Sequence, residues 1–185
     1  MFGFYGQIPV GPGAYSGIPP RYDAGVEAIG KAVSVFHSLY WRARVKAVWG
    51  KLTRRPHGLL DLDDVRRKRT IEAMHETGCV TIEVKKIRGS ECRVCDFDDE
   101  FLPLRESTAE RWAGIYAARL VGQALPAVSL VQIGDTYYVR DGHHRVSVAR
   151  LLGEEYIEAH VQVWQVKGEP AQAPAMAAQQ LLAIF

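Results

Sequence analysis

The sequence has few cysteines and lacks any long apolar run. Its three cysteines in 185 residues are an odd number and do not indicate the disulfide framework of a small secreted domain. No apolar run approaches the roughly 20 residues of a membrane-spanning helix. Residues 1–6 also lack the basic-then-apolar order of a signal peptide. We therefore expect a cytoplasmic protein with no membrane partner.

A strong excess of either charge is also absent, since the formal net charge is only +2. The balance is uneven along the chain. Residues 1–80 carry 12 Lys and Arg against 7 Asp and Glu, whereas residues 81–185 carry 11 against 14. The basic excess in the first part permits contact with a polyanion such as DNA but does not require it.

The composition, with 48% hydrophobic and 24% charged residues, is that of a folded protein with a real core. We predict four segments from the distribution of glycine, proline and apolar residues. They are a Gly/Pro-rich arm (1–21), a helical extension (22–78), a compact mixed α/β domain (79–166), and a tail (167–185) that ends in a short helix at Ala175–Phe185.

Apolar residues recur at helical spacing between residues 22 and 49, which predicts a long helix. Basic residues gather near and after its end, at Arg42, Arg44, Lys46, Lys51, Arg54 and Arg55. This pattern is typical of a solvated helix face with a basic C-terminal cap, which the helix dipole favours. A nucleic-acid- or phosphate-binding patch is the alternative.

A second helix is predicted from a cap at Asp61 or Asp63 as far as His75, with Gly78 as its stop. The domain that follows should contain strands, one helix opened by a capping box, and a hairpin with a Gly134-Asp135 turn. The predicted elements are a strand at Val80–Ile87, a helix opened at Ser107–Glu110, hairpin strands at 127–133 and 136–140, and a closing strand at Tyr156–Val166.

The most informative stretch is Asp141-Gly142-His143-His144-Arg145, between a predicted strand and a predicted helix. A glycine turn at this place points the first free N–H groups of the helix at one spot, which suits an anion. Two imidazoles and a guanidinium add donors for phosphate oxygens. Asp141 is a candidate helix cap or Mg²⁺ ligand, and Ser147 is a candidate phosphate donor or a back-bonding hydroxyl.

Two further clusters contain side chains that could act in catalysis or bind a metal. Asp98 and Glu100, in the acidic loop 96–100, are candidates to position the acceptor in phosphoryl transfer, which needs a carboxylate. Arg93 and Arg105 flank that loop and either reach the phosphates or pair with its acids. The thiols of the last cluster, Cys79, Cys92 and Cys95, are predicted to be buried and free, and a zinc site with His75 is the alternative.

Residues 79–166 resemble the ParB/sulfiredoxin superfamily, which includes the N-terminal domain of chromosome-partitioning ParB proteins, sulfiredoxins and an archaeal free-serine kinase. The resemblance is carried by the strand at 81–87, the helix after Ser107, the hairpin at 125–139, and the 141–145 turn followed by Val148-Ala149. It implies that Gly142, His143, His144 and Arg145 hold the phosphates of ATP, ADP or CTP, with Mg²⁺ as a candidate companion.

The departures from the family narrow this expectation. His143 stands where sulfiredoxin has its catalytic cysteine, which argues against sulfinic acid reduction. His143 and His144 also stand where ParB has Glu-Arg, and only about 20 residues follow the closing strand, so we do not expect an ordinary ParB. The His-His-Arg form is closer to the kinase branch and to uncharacterised ParB-like proteins.

The sequence therefore predicts a nucleotide-phosphate-binding protein, with phosphotransferase or nucleotide-hydrolysing activity as a hypothesis. In that hypothesis His143 or His144 stabilises the transferring group, and Asp98 or Glu100 positions the acceptor. The alternative is a non-catalytic DNA-associated regulator that uses the basic helix end, with the nucleotide as its switch. A homodimer is a candidate assembly in either case.

Overall fold

The computed structural model describes residues 20–53 and 58–168. The predicted arm up to residue 19, the basic pair Arg54 and Arg55, and the predicted terminal helix at Ala175–Phe185 lie outside the described residues. None of the described helices is long and apolar enough to span a bilayer.

The described chain is a mixed α/β structure that begins with a long helix. In chain order its helices and strands are α1 (Pro20–Thr53), β1 (Leu60–Asp61), α2 (Leu62–Lys68), β2 (Ile71–Glu83), β3 (Ile87–Ser90), α3 (Ala109–Leu120), β4 (Val128–Ile133), β5 (Thr136–Asp141), α4 (His143–Leu151) and β6 (Tyr156–Val166). Short 3₁₀ turns precede β3 and α3. The predicted fold class, a mixed sheet preceded by a helical extension, is confirmed.

The six strands form one sheet in the order β1-β3-β5-β4-β6-β2. The pairs β1/β3, β3/β5 and β4/β6 are parallel, whereas β4/β5 and β2/β6 are antiparallel. The predicted hairpin is present: Ile133 pairs with Thr136 across the Gly134-Asp135 turn. The predicted closing strand is β6.

Both faces of the sheet are covered, and β4 is accordingly buried along almost its whole length. On one face Val128 and Leu130 of β4 pack with Val146 of α4. On the other face Val131 of β4 packs with Leu62 of α2. Alternate residues of β4 therefore serve two different cores.

Helix α1 is attached to the sheet domain through α3. Phe36 is fully buried and lies with its ring centroid 5.7 Å from that of Trp112. Leu39, Ala43 and Leu102 complete this contact. The long helix is thus part of the described core along one of its faces.

The predicted helix through His75 is wrong in its second half. Asp61 caps α2 as predicted, because its side chain accepts a hydrogen bond from the Asp63 N–H, but the helix ends at Lys68. Residues 71–83 form strand β2, which pairs with β6 and runs across the predicted domain boundary at residue 78. Glu, Ala and Met favour a helix locally, and pairing with a distant strand overrides that preference.

Two other local predictions are corrected. The predicted strand Val80–Ile87 is interrupted by a 3₁₀ turn at Val84–Lys86, where the Val84 N–H donates to the Glu155 carbonyl. The predicted capping box at Ser107–Glu110 does not form. Thr108 is the N-cap of α3, and its hydroxyl donates instead to the Arg105 carbonyl at 2.7 Å.

Gly142 is required between β5 and α4. Its φ of 96° lies in the left-handed region, and a Cβ at this position would stand 2.6 Å from Cγ1 of Val128. A side chain would therefore meet both backbone strain and a collision with β4.

Gly142→Ala should lower the free energy of unfolding by about 2–4 kcal/mol, because strain and overlap add. Gly153→Ala is the matched control: its φ is 69°, but its Cβ would have no described atom within 4 Å. The control should lose only about 1 kcal/mol. Urea unfolding measures both, and equal losses would contradict the steric account.

Candidate functional site

The candidate site is the first turn of α4. Gly142 is the N-cap, and no described side chain hydrogen-bonds to this helix end as a cap. The N–H groups of His143, His144 and Arg145 precede the first residue that finds an acceptor within the helix, Val146, which donates to the Gly142 carbonyl at 3.0 Å. Three backbone donors and the positive end of the helix dipole therefore meet here.

Arg145 fixes this turn to the neighbouring loop. Its Nη1 donates to the carbonyls of Pro126 and Ala127 at 2.6 and 2.8 Å, and its Nη2 donates to Asp141 Oδ2 at 2.5 Å. Asp141 therefore does not cap the helix, which corrects the favoured prediction for this residue. Gly142 occupies the N-cap position of α4, and Asp141 lies one residue before it in the chain.

The His143 side chain lies below the turn and is only 4% exposed. Its Nε2 is 2.7 Å from the Ser90 hydroxyl, and its ring stacks at 6.0 Å from Phe97. Burial lowers the pKa of His143 from its usual 6.5 to about 4, with the cation of Arg93 adding to the effect. The imidazole is consequently neutral at pH 7 and hydrogen-bonds as a neutral ring.

His144 is equally buried but has an unused hydrogen-bonding atom. It is 6% exposed, and its Nδ1 has no hydrogen-bond partner among the described residues. Burial, with the cations of Arg93 and Arg111 adding to its effect, lowers the pKa of His144 to about 4, while Asp96 acts in the opposite direction. An unpaired buried polar atom is costly unless a ligand or water satisfies it.

Two arginines, Arg93 and Arg111, act on the histidines of this turn, and Arg105 shares the partner of Arg93. Arg93 and Arg105 both lie against Asp96, at 3.6 and 2.6 Å, so the predicted pairing with the acidic loop is present. Arg111 was not predicted as a site residue. It lies near the start of α3 and comes close to His144 only because α3 packs against α4. Ser90 was also missed, and no local pattern marks it.

Asp98 and Glu100 lie elsewhere, against α1. The Asp98 side chain is 2% exposed and accepts hydrogen bonds from the N–H groups of Glu100 and Leu102 at 2.9 and 2.8 Å. Its other oxygen lies 3.4 Å from Lys46 Nζ, which also contacts Glu100 at 3.1 Å. Burial raises the pKa of Asp98. The charged groups that act on the two imidazoles are instead arginines, Asp96 and Asp141.

Ser147 lies one helical turn beyond the site residues of α4. Its hydroxyl accepts a hydrogen bond from Trp112 Nε1 at 2.9 Å, and the residue is 4% exposed. It lines a cavity of about 700 Å³ together with Glu100 and Arg150. The structure thus separates the predicted residues into two places: the turn at 141–145, and a region beside α1 where Ser147 and Glu100 line this cavity and Asp98 lies against Lys46.

The described part of the basic helix end is largely engaged with the protein itself. Arg42 lies 3.7 Å from Glu100, and Lys46 contacts Asp99 at 2.7 Å. Arg44 lies over the Tyr40 ring. DNA binding stays a prediction, and its strongest candidates, Arg54 and Arg55, lie outside the described residues.

The cysteines do not assemble a metal centre within the described chain. Cys79, Cys92 and Cys95 are free and exposed, which corrects the prediction that they are buried. No group of three or more His, Cys, Asp or Glu side chains with metal-binding geometry occurs in residues 20–53 and 58–168. The alternative zinc site with His75 is therefore not formed there.

Comparisons with known proteins give one structural similarity. No protein-family model matches the sequence, and no curated protein matches it. A crystal structure of sulfiredoxin from Arabidopsis thaliana aligns with 56% of this chain and 96% of its own, at 18% identity and a TM-score of 0.31. A similarity at this level does not establish a shared family.

Acidification should destabilise the fold through the two histidines. Because their folded-state pKa of about 4 lies below the usual 6.5, the unfolded chain binds protons that the folded chain does not. Their contribution is complete above about pH 6.5 and is lost towards pH 4, at up to about 1.4 kcal/mol per pH unit for each histidine. Urea unfolding across this range measures the slope.

His144→Gln should make that slope shallower. The exposed His160 provides a control, and His160→Gln should keep the slope of the wild type. An unchanged slope in His144→Gln would show that burial of this imidazole does not control the acid response.

Ser147→Ala should cost about 1–3 kcal/mol of unfolding free energy, because it leaves the Trp112 Nε1–H buried without its acceptor. The same change in a Trp112→Phe background should cost about 1 kcal/mol less, since the donor is gone. Equal costs in the two backgrounds, measured by urea unfolding, would rule out this hydrogen bond as the reason for burying Ser147.

Proposed function

We propose that the first turn of α4 binds a phosphate group of a nucleotide, with ATP, ADP and CTP as the candidate ligands. The observation that carries the proposal is the uncapped helix start behind Gly142, where the N–H groups of His143, His144 and Arg145 are available. A helix N-terminus after a glycine turn is a common anion site because its free amides and dipole act together.

The surroundings of this helix start support an anion. Arg93 and Arg111 are among the charged groups that lower the pKa of His144, so two cations lie near the turn. A phosphate there would offset their charge and offer an acceptor to nearby donors. The unpaired Nδ1 of His144 is a further polar atom that a bound ligand or water would satisfy.

The proposed role of Arg145 is positional. Its guanidinium is held by the protein itself, through contacts with Pro126, Ala127 and Asp141. It holds α4 against the start of β4 and so orients the free amides. Arg111, and Arg93 with its longer 3.6 Å contact to Asp96, are therefore the better candidates for direct phosphate contact.

The proposal concerns binding and does not extend to phosphoryl transfer. Asp98 is buried and hydrogen-bonded within its own loop, and Glu100 is paired with cations of α1. Both carboxylates are thus already used to hold structure. The cationic and neutral donors at the turn suit phosphate oxygens, and Mg²⁺ enters as the counterion of the nucleotide.

Isothermal titration of the full chain with ATP, ADP and CTP, each with Mg²⁺, tests the proposal. Wild type should bind at least one of them, and Arg111→Ala should weaken that binding about tenfold, the loss expected for one charge-assisted contact. Arg67→Ala is a control on an exposed arginine of α2 and should bind as wild type.

Two results would refute the proposal. One is the absence of binding to all three nucleotides by a folded wild-type protein. The other is unchanged binding in both Arg93→Ala and Arg111→Ala. Circular dichroism of each variant separates a lost contact from a lost fold.

A further inference from the structure

Helix α1 is apolar on two opposite sides. Its inner side is buried against the domain through Ala32, Phe36, Leu39 and Ala43. Its second half also carries five large apolar side chains that are 64–73% exposed, which we call the outer seam: Trp41, Val45, Val48, Trp49 and Leu52. Since a helix turns by about 100° per residue, these residues lie on the side opposite Ala43.

The spacing of the outer seam favours a partner helix. Trp41, Val45, Val48 and Leu52 follow one another at steps of four, three and four residues, which is the a/d spacing of a coiled coil. This series of four residues is narrower than the apolar face of most helices that lie on a membrane or a core, and Trp49 lies along one side of it. One helix of similar shape is the occupant that fits it.

The exposed apolar area of the outer seam is large enough for a stable interface between two copies. Two tryptophans, two valines and a leucine at these exposures present on the order of 500 Å² of apolar surface, which is near the largest patch of a typical monomer. Two such seams together would bury about 1,000 Å² before their flanks are counted. Stable interfaces begin at about this size.

We propose that the outer seam pairs with the outer seam of a second copy of this chain, in an antiparallel arrangement about a two-fold axis. An axis at the midpoint of the seam sets Trp41 against the second copy's Leu52 and Val45 against the second copy's Val48. A two-fold axis makes the contact self-complementary and closes the assembly at two copies. The antiparallel direction also opposes the two helix dipoles.

Charge gives this dimer a distinctive salt response. The sequence between Ala28 and Thr53 contains no Asp or Glu, and the seam is flanked by the exposed Arg42 and Arg44. Pairing two such helices brings like charges together. Added salt screens this repulsion, so dimerisation should become tighter as salt rises, whereas an anionic partner would bind more weakly.

Sedimentation equilibrium of the full chain tests the proposal. We expect a monomer–dimer equilibrium whose dissociation constant decreases as the salt concentration is raised from about 0.1 M to about 1 M. Val45→Glu should raise that constant at least tenfold, because it places a carboxylate within the seam. Ile29→Glu is the matched control, since Ile29 is a half-exposed apolar residue of the same helix outside the seam.

Three outcomes would overturn the proposal. They are a monomer at every concentration and salt, a dimer that Val45→Glu leaves unchanged, and a dimer that salt weakens. Flotation with phosphatidylglycerol vesicles provides a further arm. Vesicle binding by a chain that stays monomeric would assign the seam to an anionic lipid surface instead.

Discussion

The approach of Gly142 to Val128 is the constraint on which the candidate site depends. This contact lets β5 turn directly into α4 while α4 lies on the sheet, and Arg145 then ties the helix to the loop before β4. The free amides of the first turn are held by these contacts instead of by a flexible loop. A site fixed in this way loses little entropy on binding a ligand.

Charge at this turn comes from the surroundings and not from the two histidines. His143 is neutral and belongs to a buried pair with Ser90, and His144 is neutral beside arginines from other elements. The acidic loop is likewise structural: Lys46 draws three of its carboxylates towards α1. Two sets of residues that look catalytic in the sequence therefore also make packing and anchoring contacts in the structure.

The sequence predicts local features well where a short segment decides them. The Gly134-Asp135 hairpin and the start of α4 at Gly142 depend on turn chemistry within a few residues. The strand at 71–78 was missed because its partner, β6, lies about 90 residues away and decides its conformation. The positions of Asp98 and Arg111 were equally unpredictable, since they depend on how α1 and α3 dock.

The pairing of β2 with β6 also governs the order in which the domain can be built. Glu83 pairs with Tyr156, and Ile71 pairs with Val166. The β2 edge of the sheet therefore cannot form until β6, the last described strand, has been synthesised. Strand β6 also separates β2 from β4. Until it is made, β2 exposes an unpaired strand on the ribosome, and the high sequence separation of these contacts makes folding slow.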